Sequence, residues 1–122
     1  MKILVGDDDR VFVHLIAQLL RGKGHQVIPV FDAMQVVMQA SRAPPPDVVI
    51  LDIHMPGGTG LEALKRLKAS LRTASIPVVV VSGVTDPGLP EAVRSLGAEA
   101  FFAKPIEPEA LFSTLEKFSP AA

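Results

Sequence analysis

The sequence predicts an α/β domain in which five parallel strands, in the doubly wound order 2-1-3-4-5, are flanked by five helices. Three observations carry this. Short apolar runs alternate five times with stretches of helical periodicity. The run Val78-Val79-Val80-Val81 has no polar alternation, as a central parallel strand buried on both faces requires. The eleven prolines punctuate these segments, most conspicuously at Pro44-Pro45-Pro46.

The elements follow in order. Lys2 to Val5 is a short strand that runs into Asp7-Asp8-Asp9, and acids favour a helix start. Phe12, Leu15, Ile16, Leu19 and Leu20 then repeat at helical spacing, and Gly22 and Gly24 stop the helix. Gln26 to Val30 is the second strand. Asp32 and Gln35 form a capping pair for a helix carrying Val36, Val37 and Ala40. The triple proline forbids helix and delivers the chain to the third strand, Asp47 to Asp52. A loop, Met55-Pro56-Gly57-Gly58, follows. Thr59 and Glu62 then make a capping box for a helix with Leu61, Leu64, Leu67 and Leu71. Pro77 to Val81 is the fourth strand. Leu89, Val93 and Leu96 mark a short fourth helix with Pro87, Gly88 and Pro90 at its start and Gly97 at its end. Ala100 to Ala103 is the fifth strand. Pro108 opens a last helix carrying Leu111, Phe112, Leu115 and Phe118.

Composition narrows the function. A chain of 122 residues, 48% hydrophobic and 20% charged, fits one packed domain, here residues 1–122. A net charge of −1 and a pI near 6.3 give no basic stripe, so no direct contact with nucleic acid is expected. The absence of cysteine excludes disulfides and thiolate chemistry. No apolar run approaches the ~20 residues of a membrane helix, and the apolar start is too short for a signal peptide. A cytoplasmic protein without membrane contact is expected.

Four strands end in polar residues that an apolar sheet does not need. They are Asp7 and Asp8 after the first, Asp52 at the third, Ser82 at the fourth and Lys104 at the fifth. In the order 2-1-3-4-5 these strands are adjacent, so the five side chains converge at the carboxyl edge, where open α/β sheets bind ligands. Three clustered carboxylates repel one another, and a hard divalent cation relieves this. All-oxygen ligands favour Mg²⁺ or Ca²⁺. Lys104 and Ser82 suit the oxygens of a phosphoryl group, and Asp52 suits a nucleophile that attacks phosphorus.

These residues resemble the receiver domain of two-component response regulators, over essentially the whole chain. The resemblance rests on Asp7-Asp8, on Leu51-Asp52 followed by Met55-Pro56-Gly57 and Gly60, on Ser82, on Gly97-Ala98 and on Lys104-Pro105. The spacings Asp8 to Asp52, Asp52 to Ser82 and Ser82 to Lys104 are 44, 30 and 22 residues. It implies a flavodoxin-like fold with Asp52 as the phosphoacceptor. It also implies Mg²⁺ held by Asp8 directly, by Asp7 through water, by Asp52 and by the main-chain carbonyl of His54. Ser82 and Lys104 would hold the phosphoryl group. Ser82 and Phe101 would form the switch that alters the face of the fourth helix, fifth strand and fifth helix.

Further implied are a histidine kinase or phosphotransfer protein as donor, docking around Val11 to Gln18, and a downstream protein target. The chain would be a monomer or a phosphorylation-dependent dimer, with no catalysis beyond Mg²⁺-dependent self-phosphorylation and autodephosphorylation. It would act through a partner or as part of a longer protein. Three departures stand out. Gly6 precedes the acids and is expected to loosen that strand end. Phe101 lacks a hydroxyl. His54, with Val84, is placed to tune phosphoryl lifetime. Two other functions share parts of this pattern. A phosphatase of the haloacid dehalogenase type would carry a second Asp where His54 stands. A receiver-fold module that only binds would not need the complete set of site residues found here.

Overall fold

The computed structural model describes residues 1–54, 60–83 and 86–120. In chain order its elements are β1 (Lys2–Gly6), α1 (Arg10–Gly22), β2 (Gln26–Val30), α2 (Ala33–Ala40), β3 (Val48–Asp52), α3 (Gly60–Ala69), β4 (Val78–Ser82), α4 (Leu89–Ser95), β5 (Ala100–Ala103) and α5 (Pro108–Glu116). The strands form one parallel sheet in the order β2-β1-β3-β4-β5, as expected.

Period-two alternation sorts the strand side chains onto two faces. Leu4, Val49, Leu51, Val78 and Val80 join residues of α2, α3 and α4 in one core. Ile3, Val5, Val48, Ile50, Val79 and Val81 join α1 and α5 in the other. The all-apolar runs of β3 and β4 are therefore covered on both sides, which explains their lack of alternation in sequence. Asp52 continues the row of Val48 and Ile50 and so belongs to the α1 and α5 face.

Local chemistry sets the helix ends. The Asp9 side chain accepts the Phe12 N–H (3.1 Å), and that of Asp32 accepts the Gln35 N–H (2.8 Å), so each satisfies an orphan donor of a first turn. Past α4, Gly97 takes φ +104°, and the Ala98 N–H reaches back to the Val93 carbonyl (3.0 Å).

Several expectations need correction. Strand β1 runs through Gly6, which pairs with Val30 and Leu51. The ladder on both sides holds that strand end, and it is not loosened. Strand β3 starts one residue later than expected, and β4 includes Ser82 but not Pro77. Strand β2 covers Gln26–Val30 as expected, and it tolerates Pro29 because it is an edge strand. Helix α1 buries Val13, Ile16, Ala17 and Leu20, whereas Leu15 and Leu19 face solvent. Its apolar arc is wider than its contact with the sheet, and Val11, 70% exposed, lies on the outer side with them. Helix α3 ends at Ala69, which leaves Leu71 wholly exposed. Phe118 lies beyond the end of α5 but still packs on the second core. The Met55–Gly58 loop, the Thr59 half of the capping box and Val84 lie outside the described residues.

Candidate functional site

The carboxyl edge of the sheet gathers what the strand ends suggested. One carboxylate oxygen from each of Asp7, Asp8 and Asp52 lies within 4.8 Å of the others. Asp7 is fully buried and Asp52 is 5% exposed, whereas Asp8 opens to solvent. This is a hard, all-oxygen donor set with one open side, and it fits Mg²⁺, which keeps several of its waters.

The buried charge is met from β5. Lys104 reaches across the sheet edge and donates from Nζ to Asp7 Oδ2 at 2.6 Å. Its main-chain N–H donates to the Ser82 carbonyl (2.8 Å), which fixes the root of the side chain. Asp7 Oδ1 accepts the Asp9 N–H at 3.0 Å, and the Asp7 N–H donates to the Val30 carbonyl. Asp52 accepts the main-chain N–H of His54, at a long 3.4 Å.

The Asp52 carboxyl is raised from 3.8 to about 6, and burial is the largest cause. The neighbouring charge of Asp7 and a hydrogen bond with that residue add to the rise, while Lys104 and the His54 N–H oppose it. Above neutral pH Asp52 is still mostly ionised. It is also more basic than an ordinary carboxylate.

The other expected residues divide. Ser82 is fully buried at the end of β4. Phe101 is half-buried against the core on the α2, α3 and α4 side. The His54 side chain is exposed, and only its main chain is drawn to Asp52. Two residues to which the sequence assigned no role at the site lie against it. Phe12 lies with its ring centroid 4.3 Å from Lys104 Nζ, although its helical spacing had marked it only as core. Gly60 packs directly on the β3 carboxyl end and donates its N–H to the Ile53 carbonyl at 2.6 Å.

Removing Lys104 leaves a buried carboxylate without its cation. Lys104→Met is expected to destabilise the metal-free protein by about 2 kcal/mol and to raise the Asp52 pKa above about 6. Thermal melting in chelator and ¹³C titration of the Asp52 carboxyl check the two parts. An unchanged melting temperature would show that the pair contributes nothing.

Residues 3–116 match the family model of the response regulator receiver domain, and the chain belongs to that family. Receiver domains are signalling modules of two-component systems rather than conventional enzymes. The chain is 38% identical over 117 residues to the sensory/regulatory protein RpfC of Xanthomonas campestris pv. campestris, a match that covers 94% of this chain but 16% of that protein. It is 32% identical over 114 residues to the protein PilH of Pseudomonas aeruginosa, covering 93% of each. Among solved structures, it resembles the receiver domain of the sensor histidine kinase PA1611 from P. aeruginosa with TM-score 0.86, 26% identity and 96% and 95% coverage of the two chains. That domain holds a magnesium ion coordinated in its active-site cleft. Among the described residues of this chain, no helix is long and apolar enough to cross a membrane.

Proposed function

We propose that this chain accepts a phosphoryl group on Asp52 from a phosphohistidine of a histidine kinase or phosphotransfer protein, and passes the signal on as a change of surface. The observation that carries this reading is the meeting of Asp7, Asp8 and Asp52 within 4.8 Å, with Lys104 at 2.6 Å from Asp7. A carboxylate Oδ of Asp52 attacks phosphorus. The new O–P bond forms as the P–N bond breaks, and the imidazole nitrogen keeps the electron pair and takes a proton. Asp8, Asp7, Asp52 and the His54 carbonyl are the residues to hold Mg²⁺, which when bound offsets charge on the phosphoryl oxygens. Lys104 turns from Asp7 to a phosphoryl oxygen, and the Ser82 hydroxyl donates to another.

The exposed row Val11, Leu15 and Leu19 lies on α1, the helix that follows Asp7 and Asp8 in the chain, and suits a docking phosphoryl donor. Ser82 and Phe101 link the phosphoryl group to the α4-β5-α5 face, which a downstream protein reads. That face also offers a contact for a phosphorylation-dependent dimer. Since Phe101 has no hydroxyl, its two states differ in packing alone. The exposed His54 side chain stands two residues beyond the acceptor and, with Val84, sets access of water to the aspartyl-phosphate during autodephosphorylation. This reading places the chain in the cytoplasm, apart from membrane and nucleic acid.

Incubation with acetyl phosphate and Mg²⁺, followed by intact mass, tests the assignment. The wild type is expected to gain the mass of one phosphoryl group, and Asp52→Asn none. No gain on the wild type defeats the reading, and a gain that persists in Asp52→Asn moves the site elsewhere. Turnover of a generic phosphate ester would favour a phosphatase instead.

A further inference from the structure

The ammonium of Lys104 has two partners of different kinds. On one side is the Asp7 carboxylate, at 2.6 Å. On the other is the face of the Phe12 ring, at 4.3 Å from its centroid. The four residues Asp7, Asp9, Phe12 and Lys104 close a circuit. Asp7 Oδ1 accepts the Asp9 N–H (3.0 Å), the Asp9 side chain accepts the Phe12 N–H (3.1 Å), the Phe12 ring faces Lys104, and Lys104 returns to Asp7. The N-cap of α1 therefore does two things. It starts the helix, and it fixes the residue three positions on against a cation that comes from β5, 97 residues from Asp7 in sequence.

We propose that Phe12 is a positioning residue for Lys104: it keeps the ammonium over the cleft while Lys104 exchanges the Asp7 carboxylate for an incoming phosphoryl oxygen. The inference rests on the reading that Lys104 meets the phosphoryl group. A ring face suits this task. It attracts a cation without carrying a charge, so it does not compete with the phosphoryl oxygen as a further carboxylate would. It has no directional lone pair, so the ammonium can swing without losing the contact. The half-buried ring also shields one flank of Lys104 from water, which strengthens its attraction for either anion. Without the ring, a lysine freed from Asp7 would extend into solvent, and each phosphoryl transfer would have to draw it back.

The test separates the ring's charge distribution from its bulk. Fluorinated phenylalanine at position 12 keeps the shape and weakens the negative face. Phe12→Leu removes the face, and Phe12→Tyr retains it. With acetyl phosphate and Mg²⁺, the second-order rate constant for phosphorylation is expected to fall about threefold with the fluorinated ring and about tenfold in Phe12→Leu, while Phe12→Tyr stays within about twofold of wild type. In the metal-free protein, the ring-current shift of the Lys104 ε-methylene protons is expected to be present in wild type and in Phe12→Tyr and lost in Phe12→Leu. A fluorinated protein and a Phe12→Leu protein that both react at the wild-type rate overturn the proposal. A wild-type Lys104 shift that persists in Phe12→Leu does the same. If the wild type takes up no phosphoryl group, the reading of Asp52 itself fails and the role of Phe12 falls with it.

Discussion

Replacing Gly60 with alanine is expected to cost the fold about 3 kcal/mol or more, a fall in melting temperature of roughly 10 °C. Gly60 is the first residue of α3 and is buried against the end of β3. A Cβ there would run into the carbonyl oxygen of Asp52 and come within 2.6 Å of the Ile53 Cα and 2.8 Å of its carbonyl carbon. All three obstacles are main chain, so no side-chain rotation relieves them. Either α3 retreats or the strand end that carries Asp52 is displaced, and phosphoryl uptake is expected to fall along with stability. Gly22 provides the control. Nothing lies within 4 Å of a Cβ at that position, in the last turn of α1, so Gly22→Ala is expected to be neutral or to stabilise slightly. Melting curves of the two variants decide the matter. A Gly60→Ala protein that melts within a few degrees of wild type would mean that the close approach is not rigid.

Asp52→Asn is expected to do the opposite and stabilise the metal-free protein, by about 2 kcal/mol or roughly 6 °C above pH 7. The carboxyl of Asp52 is raised from 3.8 to about 6 in the fold, chiefly by burial and then by Asp7. The unfolded chain therefore releases this proton first as pH rises. Between about pH 4 and about pH 6 the native state binds more protons than the unfolded state, and stability falls with rising pH. Above that window the full cost of an ionised Asp52 is carried, and below pH 4 it is absent because both states are protonated. The amide of asparagine carries no charge and can donate to Asp7. Its advantage should thus be greatest near pH 7.5 and disappear near pH 4. Melting temperatures in chelator at both pH values check this, and a gain of equal size at both would assign the effect to packing. Added Mg²⁺ should narrow the difference at pH 7.5, because it stabilises the wild-type acids more than the variant.

The site was legible because its residues break a local rule. Asp52 ends an all-apolar strand, Asp7 and Asp8 follow another, and Lys104 follows a third. The strand order that brings them together follows from five repeats of the same unit. What the sequence left hidden depends on distances across the fold. Lys104 lies on Asp7, the more deeply buried of the two acids, and nothing in the spacing chooses between Asp7 and Asp52. Phe12 shared its helical period with core residues, so its place over the ammonium left no separate trace. Leu15 and Leu19 share the period of the core yet face solvent, for a related reason. Periodicity gives the direction of an apolar face but not how much of it the sheet covers. Gly60 carried a turn signal, yet the main chain it must admit comes from another element.

The pairing of Lys104 with Asp7 joins the last strand to the first, and Asp52 comes from between them. No fragment that lacks β1 or β5 contains the assembled cleft. A chain still emerging during synthesis, or one that has lost β5 by local opening, has Asp7 and Asp52 but not the cation that meets Asp7. Assembly of the acidic cluster with its lysine is thereby tied to completion of the fold. On the proposed reading, a half-made copy would lack the lysine that receives the phosphoryl group.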